Sequence, residues 1–204
     1  MSDSKISQGW ADYYRATLDR PPRDTLVRAL NAFEAETQSI DRRLAIDLGC
    51  GNGVDTIELI RRGWTVLATD REPGAIEWVK QRVPIDQHRQ LLTQVAALES
   101  IQLPQADLIN ASFSLPFCQP QPFVELWQRI ISALRSGGRF AGNFFGERDG
   151  WSHHTDMTFH TVDQAKQALN AFEVEYFLEE ESDGVTALGD PKHWHTFSIV
   201  ARKI

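Results

Sequence analysis

The sequence predicts a doubly wound α/β fold, a mostly parallel seven-stranded sheet with an antiparallel edge hairpin and helices on both faces. Three observations carry this expectation. Short apolar runs alternate with amphipathic stripes along most of the 204 residues, and that alternation implies right-handed crossovers and a parallel sheet. A glycine cluster closes the first apolar run and opens a helical stripe. Toward the C-terminal end two strand-like segments follow with no helix between them, which reads as an antiparallel pair.

The elements follow in order. Leu26, Ala29, Leu30 and Phe33 form a helical stripe within Arg23–Glu36. Arg43–Leu48 is a short apolar run of the kind a buried strand needs. Val54–Arg62 reads as a helix through Ile57 and Ile60, stopped by Gly63. Trp64–Thr69 is the second strand, and Pro73–Arg82 a helix with proline near its start. Leu91–Ala96 is a weaker third strand and Asp107–Ala111 the fourth. Phe123–Leu134 is a strong helix before Gly137-Gly138, and Arg139–Phe145 the fifth strand. Asp149–His160 is polar, aromatic and without period. Thr161–Asn170 reads as a helix, then Phe172–Leu178 and Trp194–Ala201 as the closing strands.

At roughly 150 residues per domain, one domain over 1–204 is expected. It divides into a helical cap segment (1–40), a core (43–145) and a loop with the final strands (146–204). The sum of 21 basic and 28 acidic residues is −7, which argues against a phosphate-backbone binder and so against a nucleic-acid partner. Two cysteines, Cys50 and Cys118, make no disulfide framework. The polar start, Met1–Gln8, lacks the apolar core of a secretion signal. No apolar run reaches the roughly 18 residues of a membrane span. A cytoplasmic protein, monomer or homodimer, is expected.

The most informative segment is Asp47-Leu48-Gly49-Cys50-Gly51-Asn52-Gly53. Glycines at alternate positions after a strand let the backbone turn tightly and approach a ligand. The next helix presents unpaired N–H groups there, at the carboxyl ends of the strands where ligands bind in open parallel sheets. Asp70 ends the second strand about 20 residues later, where a carboxylate accepts ribose hydroxyls. It reads equally as a cap for the helix that follows. The spacing is G-x-G-x-G, not the dinucleotide G-x-G-x-x-G, and Asp47 beside it would repel a pyrophosphate. A sulfonium with an ammonium group suits that charge, which favours S-adenosylmethionine (SAM) over NAD.

Here the chain resembles the class I SAM-dependent methyltransferases and their Rossmann-like fold. Asp47–Gly53 resembles their first motif and Ala68–Ile76 the acidic second. Ala106–Ala111 is similar to the fourth-strand motif. Leu134–Phe140 is similar to the L-x-P-G-G turn, with Ser136 in the proline's place. The short chain is loosely similar to the tellurite-resistance and thiopurine methyltransferases. The resemblance implies a cofactor site of Asp47, Gly49, Cys50, Gly51, Gly53, Asp70 and Arg71. It adds Ala97, Leu98 and Glu99 after the third strand, where Ala97 replaces the acid expected at the adenine. It also adds Asn110 and Ala111 with their carbonyls near the donor's ammonium, and Tyr14 from an aromatic segment with Trp10 and Tyr13. Arg15 or Arg23 is placed to pair the methionine carboxylate. Asn110-Ala111-Ser112-Phe113 lacks the prolines of the amino-methylating N-P-P-Y pattern, which argues against a DNA-adenine or protein-glutamine acceptor.

Five of six histidines follow residue 150. His153, His154 and His160 are candidate general bases beside an acceptor pocket built with Trp151, Met157 and Phe159. No metal is expected, since adjacent His153 and His154 do not share one ion. The expected function is methyl transfer from SAM to a small-molecule acceptor. An NAD(P)-dependent oxidoreductase and a non-catalytic SAM-binding regulator are the alternatives, and an acceptor pocket beside the methyl group would discriminate against the second.

Overall fold

A computed structural model describes residues 3–36 and 43–204. Residues 1–2 and 37–40 of the expected cap segment therefore lie outside the described residues. Helices α1 (Asp3–Ala16) and α2 (Asp24–Ala35) precede the sheet. Then come β1 (Leu44–Leu48), α3 (Val54–Arg61), β2 (Thr65–Asp70), α4 (Pro73–Arg82), β3 (Leu91–Val95) and β4 (Ala106–Ala111). The chain continues through α5 (Pro120–Ala133), β5 (Leu134–Gly146), β6 (Phe159–His160), α6 (Val162–Ala168), β7 (Phe172–Val185) and β8 (Pro191–Lys203).

The strand order is β3-β2-β1-β4-β5-β8-β7. β8 runs antiparallel to both β5 and β7, and the rest of that path is parallel. Seven strands form it, as expected, and two-residue β6 adds an eighth by pairing with the end of β5. A pair that short has no hydrophobic period to announce it in the sequence.

Alternate residues of each central strand enter opposite layers, as a period of two requires. Ile46, Ile109, Phe140 and Ile199 meet Phe123, Leu126, Trp127 and Ile130 of α5. Ala45, Leu108, Ala141 and Val200 meet α2 and α3 through Leu26, Leu30, Phe33 and Leu59. β4 is buried along its whole length, which is why its sequence is continuously apolar apart from Asp107 and Asn110. β3 stands at the edge with Leu92 and Val95 about half exposed, which accounts for its weak signal. β5, β7 and β8 extend beyond their expected ends. The hairpin pairs out to Val185↔Pro191 through polar positions, where hydrophobic alternation fades. A 3-10 turn at Ile85–Gln90 also had no signature.

The order reverses between β1 and β4. Loops leaving the two strands diverge there and open a crevice, the general ligand position in such sheets.

Candidate active site

The glycine loop opens that crevice. Gly49 and Cys50 donate their backbone N–H groups to the carbonyl of Thr69 at 2.8 and 2.9 Å, which ties the loop to the end of β2. Gly51 has φ +54°, and a Cβ there would stand 3.2 Å from the Tyr14 ring. A side chain at this place would thus strain the backbone and press on α1.

Asp70 sits opposite. Its carboxylate accepts the N–H of Gly51 at 3.0 Å and that of Glu72 at 2.9 Å. It also accepts the Tyr14 hydroxyl at 3.3 Å. Glu72 is the residue that caps α4, so Asp70 shapes the turn into that helix as well as facing the crevice. Burial raises the Asp70 pKa, and the two backbone hydrogen bonds pull it back down. Burial, with Asp70 adjacent, drives the Tyr14 hydroxyl far up, so it stays protonated and donates.

Asp47 lies under the loop. It accepts the Thr56 hydroxyl at 2.6 Å and the Asn110 amide at 2.9 Å. Burial and neighbouring Asp55 push its pKa upward. Asp55 is held by Arg20 at 2.9 Å. Asn110 therefore turns its side chain into this buried acidic pair, and Asp47 braces the loop from below.

Above these residues lies a partly open cavity of about 90 Å³. Its walls carry Asp70, Arg71, Leu98 and Glu99, the cations Arg20 and Arg23, Thr17 and Ser114, the loop residues Gly49, Cys50 and Gly51, and the rings of Trp10, Tyr13, Tyr14, Phe113 and Phe117. Of the residues expected at the cofactor, Asp47, Gly53, Ala97, Asn110 and Ala111 are not on the cavity wall. Ala96 and Leu98 flank Ala97 there, and Ser112, Phe113 and Ser114 line the wall just beyond Asn110 and Ala111. Gly53 starts α3 and packs on Val79. Arg15 is an exposed partner of Asp12, whereas Arg23 enters the cavity. Thr17, Asn52 and Ser114 carried no sequence signal. Asn52 holds α1 down, donating to the Tyr14 carbonyl at 2.8 Å and to the Thr17 hydroxyl at 3.0 Å.

A second cavity, of about 310 Å³, adjoins the first through Trp10, Tyr13, Phe113 and Phe117. Phe145, Trp151 and Trp194 complete its aromatic walls. Trp151 of the expected acceptor pocket is present; Met157 and Phe159 are not on the wall. None of the three candidate histidines is there either. His160 is buried against Phe123 and Phe144, with ring centroids 4.9 and 4.6 Å away, and burial lowers its pKa to about 4. His153 and His154 stack on each other on the exposed loop. Among the described residues no group of three or more His, Cys, Asp or Glu side chains is placed to hold a metal ion.

Two polar atoms on the first cavity's wall, Arg23 Nε and Ser114 Oγ, are buried without a hydrogen-bond partner among the described residues. With the Asp70 carboxylate they put donors and an acceptor on the same cavity's wall. That suits a ligand with a ribose diol and a carboxylate, as SAM has.

Residues 45–138 match the methyltransferase-domain family. The chain is 33% identical over 137 residues to magnesium-protoporphyrin O-methyltransferase of Rhodobacter capsulatus, covering 65% of this chain and 58% of that protein. It is 30% identical over 141 residues to carboxy-S-adenosyl-L-methionine synthase of Vibrio parahaemolyticus, covering 67% and 56%. TehB from Haemophilus influenzae has the same fold, with a TM-score of 0.70 at 15% identity over 87% of this chain and 62% of that one. The chain spans less than two thirds of the length of these relatives. Its matched segment is similar to the methyltransferase-domain family, and its fold is that of the SAM-dependent methyltransferases. The looser likeness to the small methyltransferases holds at the level of fold.

Proposed function

We propose that this chain transfers the methyl group of SAM to a small molecule. The carrying observation is the Asp70 carboxylate at the end of β2, facing the cavity beside the Gly51 N–H. In this reading Asp70 accepts the ribose hydroxyls in exchange for the Tyr14 hydroxyl. Arg23 and Ser114 take the methionine carboxylate, Arg23 through a charge-assisted pair. Leu98 and Glu99 border the adenine. Gly49, Cys50 and Gly51 lie along the donor's middle, and Tyr14 and Arg71 close over it. Asp47, Gly53, Asn110 and Ala111 act from beneath, by holding the loop's shape.

The sulfonium, when bound, supplies an activated methyl group. The residues of the chain hold the two reactants in line at roughly 3–3.5 Å and exclude water as charge is neutralised. The adjoining aromatic chamber supports turnover over a purely regulatory binding role, because it gives an acceptor a place beside the donor. The family match and Asp47 weigh against the hydride-transfer alternative. A second reading, formation of a carboxylated SAM, is favoured by Arg23, whose unpartnered Nε would suit an added carboxylate. Among the described residues no helix is long and apolar enough to cross a membrane. Two buried free thiols and the acidic charge support a cytoplasmic, single-domain protein without a nucleic-acid partner, acting as monomer or homodimer.

The test is calorimetric titration with S-adenosylhomocysteine (SAH), SAM and NADH, followed by mass spectrometry of nucleosides released from the purified protein. SAH binding with no NADH response supports the assignment. NADH binding alone overturns it, and a co-purified carboxylated nucleoside moves the assignment to the second reading.

A further inference from the structure

Resting on the methyl-transfer reading, we propose that the aromatic chamber is the acceptor site. It selects flat, apolar molecules whose attacking atom is already anionic, and it rejects cationic amines.

The first ground is the wall itself. Trp10, Phe113, Phe117, Phe145, Trp151 and Trp194 meet edge-on or tilted, with centroids 5.0–6.4 Å apart along the chain of contacts. All but Phe145 remain partly exposed within a folded chain. Large rings left uncovered in a cavity favour a flat apolar ligand. Phe113 stands on the wall of both chambers. Its φ of +54° is the one positive value outside glycine among the described residues. Backbone strain of this kind persists where the surroundings hold it, and it collects at functional sites.

The second ground is charge. A box of aromatic faces ordinarily attracts cations. Here the protein's own cations already occupy those faces. The buried Lys192 ammonium lies 4.1 Å from the Trp151 centroid, 4.3 Å from Trp194 and 5.1 Å from Phe145. Arg23 stacks on Phe113 at 4.4 Å, and Arg71 reaches Trp10 at 5.7 Å. Lys192 is not on the chamber wall and pairs with Asp149. A second cation inside the chamber would compete for ring faces that Lys192, Arg23 and Arg71 already engage.

The third ground is the proton. No histidine, lysine or cysteine lines this chamber, and its one carboxylate residue, Asp190, is exposed at the β7–β8 turn. A neutral hydroxyl needs a base, and the wall the two chambers share offers only the phenol of Tyr13. An anion does not. Its lone pair forms the bond to the methyl carbon, the carbon–sulfur pair returns to sulfur, and anion and sulfonium both end neutral with no proton to remove.

The test uses four probes, each titrated into the SAH-saturated protein by calorimetry. The anions are 4-nitrothiophenolate and 2-naphthoate, the cation is 2-naphthylmethylammonium, and glutathione is the polar thiol. At least one anion should bind ten-fold or more tighter than the cation and glutathione, and should accept tritium from methyl-labelled SAM. Which anion turns over distinguishes a thiolate from a carboxylate acceptor. Trp194→Ala, or Trp151→Ala should the first fail to fold, should weaken anion binding about ten-fold and leave SAH affinity unchanged. Equal or tighter binding of the cation, or full anion affinity in both variants, overturns the proposal while SAH binding stands. Failure to bind SAH removes the methyl-transfer reading itself and this inference with it.

Discussion

Removing the Asp70 carboxylate separates two roles that one side chain performs. In the free protein it accepts two backbone N–H groups and a hydroxyl at 2.9–3.3 Å. Asp70→Ala leaves the Gly51 and Glu72 N–H groups without that partner. Gly51 borders the cavity and Glu72 lies at the turn into α4, and each loss costs about 1 kcal/mol. Burial opposes ionisation of Asp70, which offsets part of the loss and leaves about 1–2 kcal/mol. For a chain this size that is a Tm fall of about 2–8 °C. Ligand binding loses more. Two ribose hydroxyls donating to a carboxylate contribute about 1.5–3 kcal/mol each. Their loss amounts to about 3–6 kcal/mol, or a factor of about 10² to 10⁴ in SAH affinity. Asp70→Asn keeps a side-chain acceptor for the turn but not the charge. It should hold Tm within about 3 °C and still lose at least ten-fold in affinity. Differential scanning fluorimetry without ligand and calorimetric titration with SAH measure the two effects separately. Wild-type SAH affinity in Asp70→Ala would refute the ribose assignment.

Three further substitutions examine the frame around the site. Gly53→Ala places a Cβ 2.7 Å from Val79 Cγ2 at φ +80°, so Tm should fall by about 2 °C or more through strain of at least about 1 kcal/mol; an unchanged Tm would mean that the loop relaxes freely. Lys192→Met strands Asp149 as a buried unpaired charge, a loss of about 3–5 kcal/mol, and adding Asp149→Asn should recover part of it in urea melts; no recovery would show that the pair is not the source. His160 titrates at about 4 in the folded chain against about 6.5 unfolded. The unfolded state therefore binds more protons in that window, and stability falls as pH drops from 6.5 toward 4 by up to about 3 kcal/mol. His160→Phe should remove that part of the slope, and a His160 ring resonance titrating near 6.5 by NMR would contradict it.

The sheet was legible because its strands bury both faces. β1, β2 and β4 read as short apolar runs, and helix-period stripes between them fix the alternation. The turn at the glycine loop was legible because tight turns demand glycine, and Asp70 stood out because an acid about 20 residues later has the spacing expected of a ribose acceptor. The acceptor side was not, for a physical reason. Its aromatic walls come from α1, the segment after β4, the end of β5, the loop beyond it and β8. Trp151 is expected at an acceptor pocket and Trp10 in an aromatic segment near the ligand, but no local period links them to Phe113 and Trp194, which each alone read as ordinary core residues.

The histidines show the converse error. His160 has the chemistry of a base, and its place just past the fifth strand's loop suggested one. The pairing of Phe145 with Phe159 as β6 turns it inward instead, onto Phe123 and Phe144. Burial then holds it neutral and away from both chambers. Two residues of unforeseen strand thus decide between a catalytic histidine and a core one. On the proposed reading, with only the Tyr13 phenol on the shared wall, the acceptor arrives ionised. The protein's own cations over Phe113, Trp151 and Trp194 fit that requirement, since they compete with an entering amine for those ring faces.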